Sequence, residues 1–100
     1  MSETRPAKFD LGQIVATPGA LEAIRDAGQS PADFLRRHVS GDWGDLCDED
    51  RRLNNLASID GSRLLSAYVT GKGERIWIIT EAADDSGRRA ATTLLLASEY

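Results

Sequence analysis

The sequence contains little cysteine, histidine, proline or aromatic side chain: one Cys, one His, three Pro and 6% aromatic residues in 100 positions. A single cysteine, Cys47, excludes an intrachain disulfide, and together with one histidine, His38, it cannot supply the ligands of a structural zinc site. No apolar run approaches the roughly 20 residues that cross a bilayer, and residues 1–8 lack the apolar region of a signal peptide. We therefore expect a cytoplasmic protein that holds no metal and no cofactor and has no membrane partner.

Basic residues are too few for a general binder of phosphate backbones. Sixteen acidic residues against twelve basic residues give a formal net charge of −4, so direct nucleic-acid binding is not expected. Hydrophobic residues make up 41% and charged residues 28% of the chain, which is close to the average of globular domains. The length fits one domain. We predict a flexible tail over residues 1–8 and a single domain over residues 9–100.

Start and stop signals divide the chain into elements. Thr17 and Ser30 each precede a proline, which is the combination of N-cap and first residue that begins a helix. Glycines at 71 and 73 mark a hairpin turn between two runs rich in branched and aromatic residues. We predict an α+β domain with helices packed on one sheet face. Its elements are a strand over 9–16, helices over 18–27, 31–39 and 48–60, and a three-stranded antiparallel meander over 63–70, 74–81 and 90–96, with a mobile loop over 82–89.

The third predicted helix mixes apolar and polar positions. Leu53, Leu56 and Ala57 are predicted to form its buried side. Asn54 and Asn55 are poor helix formers in mid-helix, which indicates a polar role for them, although exposed asparagine is often simply tolerated.

Acidic residues concentrate between positions 42 and 50, around a tryptophan. Some of them cap the third helix, where the helix dipole favours negative charge. Their spacing is not that of a calcium loop, so a metal site is not predicted. An acidic patch steers association with basic partners, and we therefore interpret the segment as a protein-binding surface. Its candidate residues are Asp42, Trp43, Asp45, Asp48 and Glu49, with Asp50 as a further carboxylate.

Two other aromatic residues, Tyr68 and Trp77, are candidates for a second contact surface. Strand alternation puts Leu64, Ser66 and Tyr68 on one face, and it places Trp77 with Arg75 and Glu81. A helix-free sheet face that shows Tyr68 or Trp77 beside charged residues would suit an interface. The alternative is that these aromatics fill the core of a small domain.

His38 is the sole histidine, and any histidine-based acid, base or nucleophile-activating role would fall on it. It lies in the last turn of the second predicted helix, where it would cap the free carbonyls and interact favourably with the negative end of the helix dipole. We prefer this structural role, because activation of a nucleophile requires a defined geometry and the sequence does not place a serine or cysteine against His38 in that way.

Several segments resemble a family of small bacterial "plasmid-related" proteins. They are 9–21 (FDLGQIVATPGAL), 41–46 (GDWGDL), 66–68 (SAY), 76–82 (IWIITEA) and 92–96 (TTLLL), so the likeness covers nearly all of residues 9–100. The loop over 83–91 is longer than the family pattern, and Ala97 stands where a proline is usual. The resemblance implies carriage on plasmids, phages and integrative elements. It implies no catalytic or binding residues.

These observations favour a small mobile-element accessory protein that acts by binding protein. The leading hypothesis is an anti-defence inhibitor, anti-CRISPR or anti-restriction, that binds a host CRISPR or restriction complex. One alternative is a ribonuclease-like toxin, because the order of helices and meander is similar to barnase-like and RelE-like folds. There the catalytic residues would be Arg63, Arg75, Glu81 and His38, with arginine stabilising phosphate charge and Glu81 as base. The other alternative is a non-catalytic structural homodimer that uses the sheet edge.

Overall fold

The computed structural model describes residues 7–100. The helices are α1 (Pro18–Asp26), α2 (Pro31–Val39) and α3 (Asp48–Asp60), and the strands are β1 (Gln13–Ala16), β2 (Leu64–Val69), β3 (Arg75–Thr80) and β4 (Ala91–Leu96), followed by a 3-10 turn over Ala97–Glu99. Most of the predicted tail, residues 1–6, lies outside the described residues. Within the described part, the Lys8 amide donates to the Val39 carbonyl at 2.8 Å.

The helices begin at the residues that the start signals indicate. Thr17 accepts the Ala20 amide at 3.1 Å, which caps α1, and Pro18 is the first helical residue. In α2, the Asp33 carboxylate accepts the Ser30 amide at 2.9 Å, which is half of a capping box. Capping interactions between residues close in the sequence therefore set the first residues of both helices.

The α+β class is confirmed, but the sheet is a four-stranded mixed sheet in the order β1-β4-β3-β2. The strands β2, β3 and β4 are antiparallel neighbours, and β1 joins β4 in parallel. The connection from β1 to its parallel neighbour β4 contains three helices and the strands β2 and β3, which is long enough for a parallel crossover. The first strand starts at Gln13 rather than at Phe9, because Gly12 has a φ of +66° and packs against the backbone of Arg89 and Ala90.

The main core lies between the sheet and the helices α1 and α2. Strand alternation is confirmed, since Leu64, Ser66 and Tyr68 of β2 are all buried. Tyr68 therefore lies on the helix-covered face of the sheet. The main core cluster contains Ala20, Ile24, Phe34, Tyr68, Ile76, Ile78 and Leu94.

Helix α3 faces the core with a different side from the predicted one. Leu53 and Leu56 are 58% and 54% exposed, so their predicted burial is wrong, whereas Ala57 is buried as predicted. Asn54 is buried instead, because its side-chain amide bonds to both backbone groups of Leu65 on β2. This pairing sets the rotation of α3 about its own axis.

The segment between β3 and β4 has hydrogen bonds of its own. Asp84 accepts the backbone amides of Ser86 and Arg88 at 2.9 and 3.0 Å. Arg89 is 5% exposed, and its guanidinium donates to the carbonyls of Ser62, Glu81 and Ala57 at 2.8, 3.0 and 3.0 Å. The segment is thus tied to the C-terminal part of α3 through a buried charge.

Candidate protein-binding surface

The sheet face opposite α1 and α2 carries apolar side chains from alternate positions of three strands. We call it the open sheet face: Leu65, Ala67, Val69, Trp77, Ile79 and Leu95. Trp77 lies at its centre, in register with Ala67 on one side and Leu95 on the other. Trp77 is half-buried and Val69 is 47% exposed. Ile79 and Leu95 are only 7% and 9% exposed, so the accessible apolar surface of the open sheet face lies mainly on β2 and at Trp77.

Tyr100 extends this face with a second exposed ring. Its ring centroid lies 5.0 Å from that of Trp77, in a tilted arrangement. Its hydroxyl accepts from the Arg63 guanidinium at 2.6 Å, and the guanidinium carbon is 5.8 Å from the ring centroid. Tyr100 is 66% exposed. The combination of Trp, Tyr and Arg is typical of residues that dominate binding energy at interfaces.

Arg75 and Glu81 flank the open sheet face at opposite ends of β3. Arg75 is the first residue of the strand, opposite Val69, and Glu81 follows its last residue. Six residues of extended chain separate their Cα atoms by about 20 Å. Both side chains are exposed. They frame the apolar strip with one charge of each sign and do not form a pair.

The residues of the ribonuclease alternative are not brought together. Arg75 and Glu81 lie at opposite ends of β3, and Arg63 is bonded to Tyr100. His38 is buried between α2 and the helix-covered face of the sheet, where it bonds to Ser66 and Thr80. General acid–base catalysis requires the groups to reach one reacting centre, and these four do not converge on one phosphate.

The acidic segment 42–50 is a surface of carboxylates without an exposed aromatic residue. Asp45, Asp48 and Glu49 are exposed, and the last two lie in the first turn of α3, where the helix dipole stabilises them. Asp42 forms an ion pair with Arg37 at 2.7 Å. Among residues 7–100, no group of three or more His, Cys, Asp or Glu residues has the arrangement of a metal site.

Two of the predicted binding residues, Trp43 and Tyr68, are core residues. Trp43 is 4% exposed, and its indole nitrogen donates to the Asn55 side chain at 2.9 Å. Tyr68 is 2% exposed, donates to the Asp42 carbonyl at 2.5 Å and lies under the Arg37 guanidinium, 4.5 Å from its ring centroid. Burial raises the pKa of the Tyr68 phenol. A partner that docks on the folded surface has little access to either ring.

His38 does not act as the predicted cap of helix carbonyls. It is fully buried, and burial lowers the pKa of its imidazole to about 4, with the nearby Arg89 charge as a smaller cause. The polar residues Ser66 and Thr80 stand at inward-facing strand positions, which is the signal in the sequence for a buried polar partner. The roles of Arg89 and Tyr100 have no comparable signal, because one lies in an irregular segment and the other follows the last strand.

No helix within residues 7–100 has both the length and the apolar character needed to cross a membrane. Comparison of the chain with protein-family models, with curated proteins and with solved structures found no match.

Proposed function

We propose that this chain is a non-catalytic accessory protein of a mobile genetic element that binds a protein component of a host CRISPR or restriction complex through its open sheet face. The observation that carries the protein-binding part is the apolar strip centred on Trp77, with the exposed Tyr100 ring packed against Trp77. Val69 and Tyr100 are exposed and Trp77 is half-buried, and exposed apolar side chains that cluster around an aromatic residue in this way mark interaction sites. The defence complex as partner rests on the family resemblance.

The charges around the open sheet face support a partner surface of defined chemistry. Arg63 and Arg75 are exposed at its borders, whereas Asp45, Asp48 and Glu49 lie outside it, in the turn before α3 and in its first turn. A complementary surface therefore has an apolar centre, with carboxylates opposite Arg63 and Arg75 and a basic group opposite Glu81. Aromatic and arginine side chains in such a setting supply most of the binding energy.

The experiment is a pull-down with the purified protein from host cells that carry a CRISPR or restriction system, together with plasmid-transfer and phage-infection assays. We expect capture of a component of the defence complex and protection of the incoming DNA. Tyr100→Ala should weaken capture about 10-fold or more, since hot-spot truncations cost about 2 kcal/mol.

A matched variant separates the two candidate surfaces. Asp48→Asn combined with Glu49→Gln changes the acidic segment and leaves the open sheet face intact, so capture should persist. Loss of capture in this variant but not in Tyr100→Ala would move the interface to the acidic segment. Absence of any defence component, with no effect on transfer or infection, would refute the proposed partner.

A specific observation favours a homodimer as a second candidate. The Gln13 and Thr17 amides donate to the carbonyls of Ala90, just before β4, and of Leu94 in β4, at 3.0 Å each. The alternate residues Ile14 and Ala16 therefore direct their amides and carbonyls away from the sheet. The four residues of β1 include no charge and no proline, which are common protections of a free edge.

The β2 edge is covered, in contrast. Ala67 exchanges backbone hydrogen bonds with Trp43 and Asp45, at 3.1 and 2.6 Å. Light scattering up to about 1 mM protein detects a homodimer whose association free energy is about 4 kcal/mol or stronger. It therefore distinguishes a homodimer from a monomer that binds another protein. Loss of the dimer in Ile14→Lys, but not in Leu53→Lys at a similarly exposed position, would support pairing through β1. A protein that stays monomeric over this concentration range would refute the homodimer.

A further inference from the structure

A chain of buried hydrogen bonds crosses the domain from β2 to the N-terminal segment. Ser66 Oγ lies 2.6 Å from His38 Nδ1, and His38 Nε2 lies 2.8 Å from Thr80 Oγ1. Thr80 Oγ1 lies 2.7 Å from Thr92 Oγ1, which donates to the Leu11 carbonyl at 2.7 Å. The four side chains in this series of hydrogen bonds are fully buried. The series thus joins α2, three strands and the segment before β1.

The Leu11 carbonyl, the last acceptor in the series, fixes which atom donates in each hydrogen bond. A carbonyl oxygen only accepts, so the Thr92 hydroxyl donates to Leu11 and must accept from Thr80. The Thr80 hydroxyl then accepts from His38, which places a proton on Nε2. In the neutral imidazole, Nδ1 is an acceptor, and Ser66 donates to it. The structure assigns the Nε2–H tautomer to a neutral His38.

Residues 7–12, which we call the strap, cover this buried histidine. The Phe9 ring meets His38 edge-on at 5.1 Å between centroids and stacks on Trp43 at 6.0 Å. The strap is held at Lys8 by the bond to the Val39 carbonyl and at Leu11 by the bond from Thr92. Its docked position therefore depends on Val39, the residue after His38, and on Thr92, which bonds to the Thr80 hydroxyl that is hydrogen-bonded to the imidazole.

We propose that the strap is an acid-sensitive latch, closed over neutral His38 and released when His38 takes up a proton. A proton on Nδ1 would require the Ser66 hydroxyl to turn its own proton away, within a site that has no water-exposed atoms on the ring. Opening of the strap removes the Phe9 ring and gives the imidazolium access to water. Protonation and strap release are thus linked through burial.

The size of the linkage follows from the two states of the imidazole. Burial holds the pKa of His38 at about 4 in the closed state, and exposure returns it toward its ordinary value of 6.5. The open form binds more protons between these values, so the opening equilibrium rises as the pH falls, by up to about 300-fold. Arg89 is the charged group whose field acts on the His38 ring.

The uncharged groups that pack against or near the His38 ring are Phe9 of the strap, Trp43 of the turn, Ser66 and Tyr68 of β2, and Thr80 of β3.

Hydrogen exchange followed by NMR between pH 4 and pH 7 tests the latch. The Lys8 amide reports strap opening, and the Ala27 amide, bonded to the Ala23 carbonyl at the end of α1, is the reference. After correction for intrinsic exchange, protection of Lys8 should fall by up to about 300-fold as the pH falls through 6.5 toward 4, while Ala27 changes less. Equal loss at both amides, or no loss at Lys8, would overturn the latch.

Two variants and one spectroscopic measurement complete the test. Thr92→Val removes the bond to Leu11 and should lower Lys8 protection at every pH while keeping its pH dependence. His38→Gln should remove the dependence between pH 4 and 6.5, and an unchanged dependence in this variant would assign it to another group. The ¹⁵N shifts of His38 in the unmodified protein report the tautomer directly, and a proton on Nδ1 at neutral pH would contradict the assigned direction of the chain.

Discussion

Asn54 pairs with Leu65 as a neighbouring strand would. Its side-chain nitrogen donates to the Leu65 carbonyl at 2.5 Å, and its side-chain oxygen accepts the Leu65 amide at 3.2 Å. Leu65 belongs to β2, the strand at one edge of the sheet, so these backbone groups face outward. One helical side chain thus satisfies a donor and an acceptor that an edge strand otherwise leaves free.

Replacement of Asn54 by alanine should lower the free energy of unfolding by about 1–3 kcal/mol. The variant leaves the amide and carbonyl of Leu65 without their partner in a partly buried position. Urea unfolding measures the loss. Arg52→Ala, an exposed change on the same helix, should stay within about 0.5 kcal/mol. Equal stability of both variants would show that the amide pairing contributes little.

Gly44 is the position where a methyl group should be least tolerated. It has a φ of +78°, and a Cβ there would lie 2.0 Å from the Ala67 carbonyl oxygen. Gly44→Ala must therefore break the contact that covers the β2 edge, and we expect a loss of more than about 3 kcal/mol or failure to fold. Gly73 has a φ of +87° with nothing within 4 Å of its Cβ position. Gly73→Ala should cost about 1–2 kcal/mol, from conformation alone, and a similar cost at Gly44 would contradict the predicted clash.

Arg89 should not be replaceable by lysine. Its guanidinium reaches the carbonyls of Ala57, Ser62 and Glu81 with two different nitrogens, a forked geometry that an ammonium group lacks. Arg89→Lys should lower the free energy of unfolding by about 2 kcal/mol or more, because buried carbonyls lose charged donors. Arg88→Lys, at the exposed neighbouring position, is the control and should be neutral within about 0.5 kcal/mol. Thermal and urea unfolding of the pair decide the point.

The stability of the whole domain should depend on pH through His38. Its folded pKa of about 4 lies below the ordinary 6.5, so between these values the unfolded chain binds more protons. Stability is therefore complete above about pH 6.5 and falls as the pH falls toward 4, by about 3 kcal/mol in total. The measurement is the difference in unfolding free energy between the parent and His38→Gln across this range, since carboxylates titrate in both. A difference that does not vary with pH would contradict the buried, neutral imidazole.

Much of the fold could be predicted because it rests on interactions between near neighbours in the sequence. Thr17 caps the amide three residues ahead, and Asp33 accepts the amide three residues behind it. Alternation grouped Ser66 with Leu64 and Tyr68 on one face of β2, and in the structure this face is the buried one. Of the candidate surface, Trp77 with Arg75 and Glu81 was available from alternation.

The remaining features depend on partners far apart in the chain. The predicted buried side of α3 was wrong at Leu53, because a bond between Asn54 and a strand residue outweighs the apolar pattern. The place of β1 in the sheet depends on pairing with β4, more than seventy positions later. The contact between the Tyr100 and Trp77 rings depends on how the chain turns back after β4.

The sequence by itself determined the α+β class, the helix starts and the division of each strand into two alternating faces, since capping and alternation act over four residues or fewer. The tertiary structure decided that His38 is a buried link rather than a cap, that Trp43 belongs to the core, and that Arg89 anchors a loop to α3. These outcomes depend on whether a polar or charged group finds partners when it is buried. Those partners are brought near by folding and are not encoded in the neighbouring residues.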